Sequence, residues 1–206
     1  MSLPLPFSLY LVTDRSLLGG WDPLLAALER ALAGGADAVQ LRERDLSAAE
    51  LYPRAQEVRE LTRRFGALLL INDRVDVALA VEADGVHLGG HSLPAAVVRK
   101  RFGRKLLVGV STHNVAAVAA AAADADFVTF GPVYATPSKA AYGPPLGVAA
   151  LWDACRAVTL PVYALGGVTP GRRAEVLAAG AAGCAAISAV LGATDPGRAA
   201  AAFVGG

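Results

Sequence analysis

The chain is poor in cysteine, in net charge and in long apolar runs. Cys155 and Cys184 are its only cysteines in 206 residues. They lie far apart, with neither a CxxC pair nor His-rich spacing nearby, which argues against a disulfide scaffold or a zinc site. Nineteen Lys or Arg face 18 Asp or Glu, a net +1 that provides no single-sign surface for nucleic acid or a membrane. The longest apolar run, residues 115–123, is too short to span a bilayer. The opening Met1-Ser2-Leu3-Pro4-Leu5-Pro6 has no basic segment ahead of an apolar one and is broken by proline. These absences predict a cytoplasmic, soluble protein without a nucleic-acid or membrane partner. No G-x-G-x-x-G follows the first strand-like run, which weakens a dinucleotide-binding reading.

What is present points to a large core. Hydrophobic residues make up 54% and charged residues 18%, far from the composition of disordered chains. The expected unit is one domain over residues 1–206, because parallel α/β barrels use 200 or more residues as a single body. Apolar strand-like runs at 8–12, 37–41, 67–71, 85–88, 106–110, 127–130, 161–164 and 184–187 lack polar alternation, as strands covered on both faces do. Helical spacing occupies 21–32, 48–65, 75–81, 95–102, 115–123, 148–158, 172–179 and 196–203. Eight of each predict an α/β fold, a single-domain (β/α)8 TIM barrel, against the competing open doubly wound sheet. A weak repeat supports the barrel: Gly35-Ala36-Asp37, Ala83-Asp84-Gly85, Ala125-Asp126-Phe127 and Gly180-Ala181-Ala182 each put small residues between a helix end and a strand start.

In such a barrel chemistry belongs at the carboxyl ends of the strands. Gly166-Gly167 and Ser188 follow the last two strands with small side chains and free N–H groups, the ingredients of a phosphate site. Thr136, Ser138 and Lys139 bring two hydroxyls and an ammonium into the long loop 131–147, which could fold over the same anion. Gln40 and Arg42 share a face of the second strand and Arg44 continues their line, a set suited to a carboxylate, phosphate or heteroaromatic ring. Glu43 could pair with one of the arginines. His113, just past the fifth strand, is placed to move a proton at neutral pH.

The segments Gln40-Leu41-Arg42-Glu43-Arg44, Ile71-Asn72-Asp73-Arg74, Gly85-Val86-His87-Leu88-Gly89, Gly109-Val110-Ser111-Thr112-His113, residues 131–139 and Ala164-Leu165-Gly166-Gly167-Val168-Thr169 resemble, in order, the thiamine phosphate synthase superfamily. The resemblance implies a (β/α)8 barrel and a thiamine-pathway ligand. It leaves two branches: the synthase, which joins a pyrimidine diphosphate to a thiazole phosphate, and the thiazole tautomerase, which aromatises a thiazole carboxylate phosphate. In the synthase pattern two Asp residues hold Mg²⁺; Asp73 matches the first, whereas Ser92 stands where the second is expected. A lost carboxylate fits the tautomerase, which releases no diphosphate and needs no metal.

The reading is therefore a thiazole tautomerase, an isomerase without cofactor that binds a small-molecule thiazole phosphate. Thr136, Ser138, Gly166, Gly167, Ile187 and Ser188 are assigned to the phosphate. Gln40, Arg42, Arg44, Asn72, Ser111 and Lys139 are assigned to the rest of the substrate, and His113 to catalysis. The alternative is the synthase, a transferase, with Mg²⁺ on Asp73. A non-catalytic thiamine-phosphate-binding regulator is the alternative of another class. The Ala-rich helices suit packing on the barrel or on a second copy, so a homodimer stays open.

Overall fold

A computed structural model of the chain describes residue 5, residues 7–136 and residues 144–205. Eight parallel strands close into a barrel in sequence order: β1 (Leu9–Val12), β2 (Ala38–Leu41), β3 (Leu68–Asn72), β4 (Gly85–Leu88), β5 (Leu107–Thr112), β6 (Phe127–Phe130), β7 (Val162–Leu165) and β8 (Gly183–Ala186). The barrel is the expected fold, and each strand lies within two residues of its expected bounds. Around it run α1 (Trp21–Ala33), α2 (Ala48–Phe65), α3 (Val75–Ala80), α4 (Ala95–Phe102), α5 (Val115–Ala121), α6 (Gly147–Arg156) and α7 (Arg173–Ala178). A four-residue helix, α8 (Ser188–Leu191), precedes the closing α9 (Pro196–Val204). The sequence pattern gave no sign of α8, because four residues are too few to display a helical period.

Local chemistry explains the element ends. Ser47 and Glu50 form a reciprocal capping box at the start of α2, and Gly66 ends it in the left-handed region at φ 67. Asn114 caps α5 by accepting the Ala117 N–H. One strand face packs on the helices through residues such as Leu9, Leu11, Val39, Leu69, Val86, Val108 and Val128. The alternate residues fill the barrel with Phe7, Tyr10, Leu68, Leu70, Leu107, Phe127 and Tyr163. Phe7 stacks on Tyr163 at 4.1 Å between ring centroids, and Phe127 meets Tyr10 edge-on at 5.4 Å.

The weak repeat has a specific physical basis at the amino ends of the strands. Asp37, ahead of β2, accepts the Ser8 and Leu9 N–H groups at 2.7 and 2.9 Å. Asp84, ahead of β4, accepts Leu69 N–H at 2.7 Å, and Asp126, ahead of β6, accepts Val108 N–H at 2.8 Å. Each carboxylate thus pins the start of the preceding odd strand, satisfying donors that closure of the barrel would leave bare. Arg59 on α2 and Arg99 on α4 neutralise Asp84 and Asp126. The fourth repeat has Ala182 at this position, which has no such acceptor.

Candidate active site

The inward parity of the strands decides what reaches the barrel mouth. Register pairs Val12 with Gln40, Asn72 with His87, and Ser111 with Thr129, so these residues lie on the inner face. Four of the inner residues form one polar chain across the interior. Gln40 Nε2 donates to the Tyr10 hydroxyl at 3.0 Å, the Tyr10 oxygen lies 3.2 Å from His87 Nδ1, and His87 Nε2 lies 2.9 Å from Ser111 Oγ. Burial holds the His87 imidazole at a pKa of about 3, with a smaller opposing pull from Asp73, so the ring is neutral at physiological pH. Burial also drives the Tyr10 phenol far above its ordinary range. Gly109 makes room for the imidazole: a Cβ there would sit 2.6 Å from His87 Nδ1 and 2.4 Å from the Phe127 ring. Sequence reasoning chose Gln40 and Ser111 but missed Tyr10 and His87. Alternation along β1 and β4 was the available signal, since it puts both on the inner face.

At the β1 and β2 ends, Glu43 is buried and fully engaged. It accepts from Thr13 Oγ1 at 2.6 Å and from the Arg15 backbone and guanidinium, and Arg15 also pairs with Asp45. The expected partner of Glu43 was Arg42 or Arg44; Arg15 takes that place. Among the described residues Arg42 and Arg44 make no ion pair, and both line a cavity of about 470 Å³ with Arg15 and Gly20. The same cavity carries Asp14, Glu43 and Asp45, with Glu43 and Asp45 taken up by Arg15, which leaves the Arg42 and Arg44 guanidinium groups without a carboxylate partner of their own among the described residues.

Between β3 and β4, Asp73 sits in the left-handed region at φ 61. Its carboxylate accepts from Asn72 Nδ2 at 2.8 Å and from the Ser92 hydroxyl, which in turn accepts the Gly89 N–H. Among the described residues no three His, Cys, Asp or Glu side chains gather for a metal. The donor set is one carboxylate with a hydroxyl beside it. That is incomplete for a cation held by protein alone, but Mg²⁺ commonly takes only one or two carboxylates and completes its shell with substrate phosphates and water.

Across the rim, the β6, β7 and β8 loops enclose a cavity of about 290 Å³ whose lining includes Thr136, Gly166, Gly167, Ile187 and Ser188. Gly166 and Gly167 adopt φ 92 and 65, and a Cβ on either would strike the β6 loop within 2.6 Å. A second set of contacts ties these loops together. Arg172 donates to the Gly167 carbonyl at 2.6 Å and lies 4.3 Å over the Tyr134 ring, whose hydroxyl donates to Glu175 at 2.6 Å. Burial raises the Tyr134 phenol to about 12. Ser138 and Lys139 lie outside the described residues. Because β8 pairs with β1, this cavity and the arginine rim are neighbours around the mouth. His113 is exposed past β5, where its Nδ1 bonds to the Gly131 carbonyl. A carbonyl can only accept, so Nδ1 carries the proton.

A family profile described as thiamine monophosphate synthase matches residues 9–190. A protein of Geobacter sulfurreducens described as a putative thiamine-phosphate synthase is 58% identical over 191 residues, covering 92% of this chain and 89% of the relative. The thiamine-phosphate synthase of Laribacter hongkongensis is 42% identical over 196 residues, covering 95% and 93%. The solved thiamine phosphate pyrophosphorylase from Pyrococcus furiosus matches with a TM-score of 0.87 at 36% identity, covering 96% of this chain and 94% of that one. These relatives overturn the expectation of a thiazole tautomerase, an isomerase, since they carry the name of the synthase, a transferase. The physical misstep concerned Ser92. Counting protein carboxylates treated its hydroxyl as the loss of a metal clamp, although substrate oxygens can supply the ligands that a second Asp would give.

Proposed function

The chain belongs to the thiamine monophosphate synthase family, and from that premise we propose that it is a transferase joining a pyrimidine-methyl diphosphate to a thiazole phosphate. The thiazole ring nitrogen forms a C–N bond to the exocyclic methylene carbon as the C–O bond to the diphosphate breaks. Thiamine phosphate and pyrophosphate leave. One observation carries the reading: Thr136, Gly166, Gly167, Ile187 and Ser188, drawn from three loops, line one cavity, and Arg42 and Arg44, which pair with no carboxylate among the described residues, line another at the neighbouring strand ends.

In this arrangement the small cavity takes the thiazole monophosphate, with backbone N–H groups of Gly167 and Ser188 and the Thr136 hydroxyl as donors. Arg42 and Arg44 take the more highly charged diphosphate, where guanidinium forks suit phosphate oxygens. Gln40 and Ser111 hold the pyrimidine ring between the two anion sites, and Asn72 steadies the Asp73 carboxylate. Positioning of this kind fixes the nitrogen near the carbon it attacks, and well-oriented pairs gain roughly 7–11 kcal/mol of barrier that way. Mg²⁺, held by Asp73 with Ser92 beside it, would neutralise charge on the diphosphate. With no tautomerisation to perform, His113 acts by tethering the β5 loop to Gly131. Among the described residues no helix is long and apolar enough to cross a membrane, and we place the reaction in the cytoplasm with its polar substrates.

The test is to mix the purified protein with 4-amino-2-methylpyrimidine-5-methyl diphosphate and thiazole phosphate, with Mg²⁺ or with EDTA, and to follow thiamine phosphate. Formation that requires Mg²⁺ is expected. Tight thiamine phosphate binding without turnover would instead identify a regulator and overturn the reading.

A further inference from the structure

The polar chain inside the barrel has a direction, and that direction determines what the barrel floor can recognise. A phenol has one proton. The Tyr10 oxygen accepts from Gln40 Nε2, so its own proton goes to His87 Nδ1. A neutral imidazole that accepts at Nδ1 carries its proton on Nε2 and must donate it to Ser111 Oγ. The Ser111 proton is then free to point into the mouth, and the Gln40 carbonyl oxygen is left as an acceptor. Reversal would require every proton in the chain to move together. The surroundings make the three bonds the natural partners of these atoms: Tyr10, Gln40 and His87 are buried, the rings of Phe7 and Phe127 that pack on Tyr10 carry no polar atom, and the Tyr163 hydroxyl is engaged by the Phe7 N–H at 3.0 Å.

Resting on the synthase reading above, we propose that Tyr10 and His87 are positioning residues that lock Gln40 as an acceptor and Ser111 as a donor, so that the floor selects an amino-substituted ring with an adjacent ring nitrogen over its oxo counterpart. An aminopyrimidine edge presents an N–H donor beside an unprotonated nitrogen, which matches an acceptor carbonyl beside a donor hydroxyl. A 4-oxo ring in its usual tautomer presents the opposite pattern, a carbonyl beside a ring N–H. Neither Tyr10 nor His87 needs to touch the substrate. Their effect passes through the two residues that do, and leaving a polar site mispaired is the more severe form of discrimination.

The test combines a spectroscopic and a kinetic arm. In wild-type protein with ¹⁵N-labelled histidine, long-range ¹H–¹⁵N correlation is expected to show His87 as the Nε2–H tautomer at pH 7. A Nδ1–H tautomer or an imidazolium would overturn the proposal without any variant having to fold. In Tyr10→Phe, KM for the aminopyrimidine diphosphate is expected to rise about tenfold while KM for thiazole phosphate stays within twofold. The preference for the amino over the 4-oxo diphosphate should fall by a similar factor. His87→Gln, which keeps a donor for Ser111, should retain more of that preference than His87→Leu. An equal rise in both KM values, or unchanged selectivity, overturns the proposal. Absence of turnover in the wild type would sink the synthase reading instead, and the tautomer measurement would still decide the polarity of the chain.

Discussion

Two ion pairs on α2 provide a controlled measurement of what burial does to a charge. Arg59 and Arg63 lie one turn apart on that helix, and their partners Asp84 and Glu82 lie two residues apart ahead of β4, both pairs closing at 2.7 Å. The side chains of Arg59 and Asp84 are 14% and 18% exposed, those of Arg63 and Glu82 52% and 79%. Asp84→Ala strands a guanidinium whose Nε already lacks a partner, and removes the acceptor for Leu69 N–H at the start of β3. Breaking a buried pair costs about 3–5 kcal/mol, and the residual exposure here places the effect near the lower end, about 3 kcal/mol. Glu82→Ala leaves the left-handed backbone at φ 52 no worse served and removes only a screened surface pair, about 0–1 kcal/mol. For a chain of this size 1 kcal/mol moves Tm by roughly 2–4 °C. Thermal melts should therefore fall by about 6–12 °C for Asp84→Ala and by no more than about 4 °C for Glu82→Ala. Both variants should keep kcat/KM, because these groups sit at the end of the barrel away from the mouth. Equal Tm shifts would refute the burial argument, and lost activity at unchanged Tm would refute the placement.

Three further outcomes follow from the site. His87 should make stability fall with acid: the unfolded chain takes up a proton below about pH 6.5 while the native ring stays neutral down to about 3. Its contribution is complete above pH 6.5 and drains as pH drops toward 3, about 2 kcal/mol of it by pH 5, and urea midpoints at pH 7 and 5 should converge in His87→Gln. Gly166→Ala puts a Cβ 2.6 Å from Pro132 at φ 92, and should raise KM for thiazole phosphate at least tenfold, whereas Gly171→Ala, with open space around it, should leave KM unchanged. Ser92→Asp should tighten Mg²⁺ binding measured by calorimetry in the presence of pyrophosphate, and EDTA should abolish turnover in both forms; equal Mg²⁺ affinity would remove residue 92 from the metal site.

The parts of the fold that were legible in the sequence are those governed by local pattern. Strands buried on both faces read as continuous apolar runs, so β1 to β8 could be located to within two residues, and the apolar stripes of helices such as α1 and α2 were equally plain. The small-residue repeat was visible, but its content was not. That Asp37, Asp84 and Asp126 each cap a neighbouring strand depends on which strands adjoin, a fact of closure that composition does not carry. Tyr10 and His87 were hidden for a related reason: alternation along β1 and β4 puts them on one face with the inner residues, but that they meet Gln40 and Ser111 there depends on how the strands adjoin, and β1 and β4 do not pair directly.

Ser92 misled for a different reason, and it shows how far counting residue types can go. A missing carboxylate was read as a missing metal and hence as a different reaction, yet a cation that bridges a diphosphate draws ligands from the substrate itself. The number of protein carboxylates then governs how strongly the cation binds before substrate arrives, not whether the chemistry can use it. With Asp73 tied to Asn72 and Ser92, the protein alone offers a weak cation site, so metal should enter together with the diphosphate. The two regions proposed to take phosphates bear on the same comparison of branches. A tautomerase acts on one ring that carries both a carboxylate and a phosphate, whereas a synthase has to seat two separately phosphorylated substrates at once. On the proposed reading, the cavity at Gly166, Gly167 and Ser188 and the separate one at Arg42 and Arg44 are those two places on one barrel mouth, which calorimetric titration with thiazole phosphate and with pyrophosphate should show as independent binding.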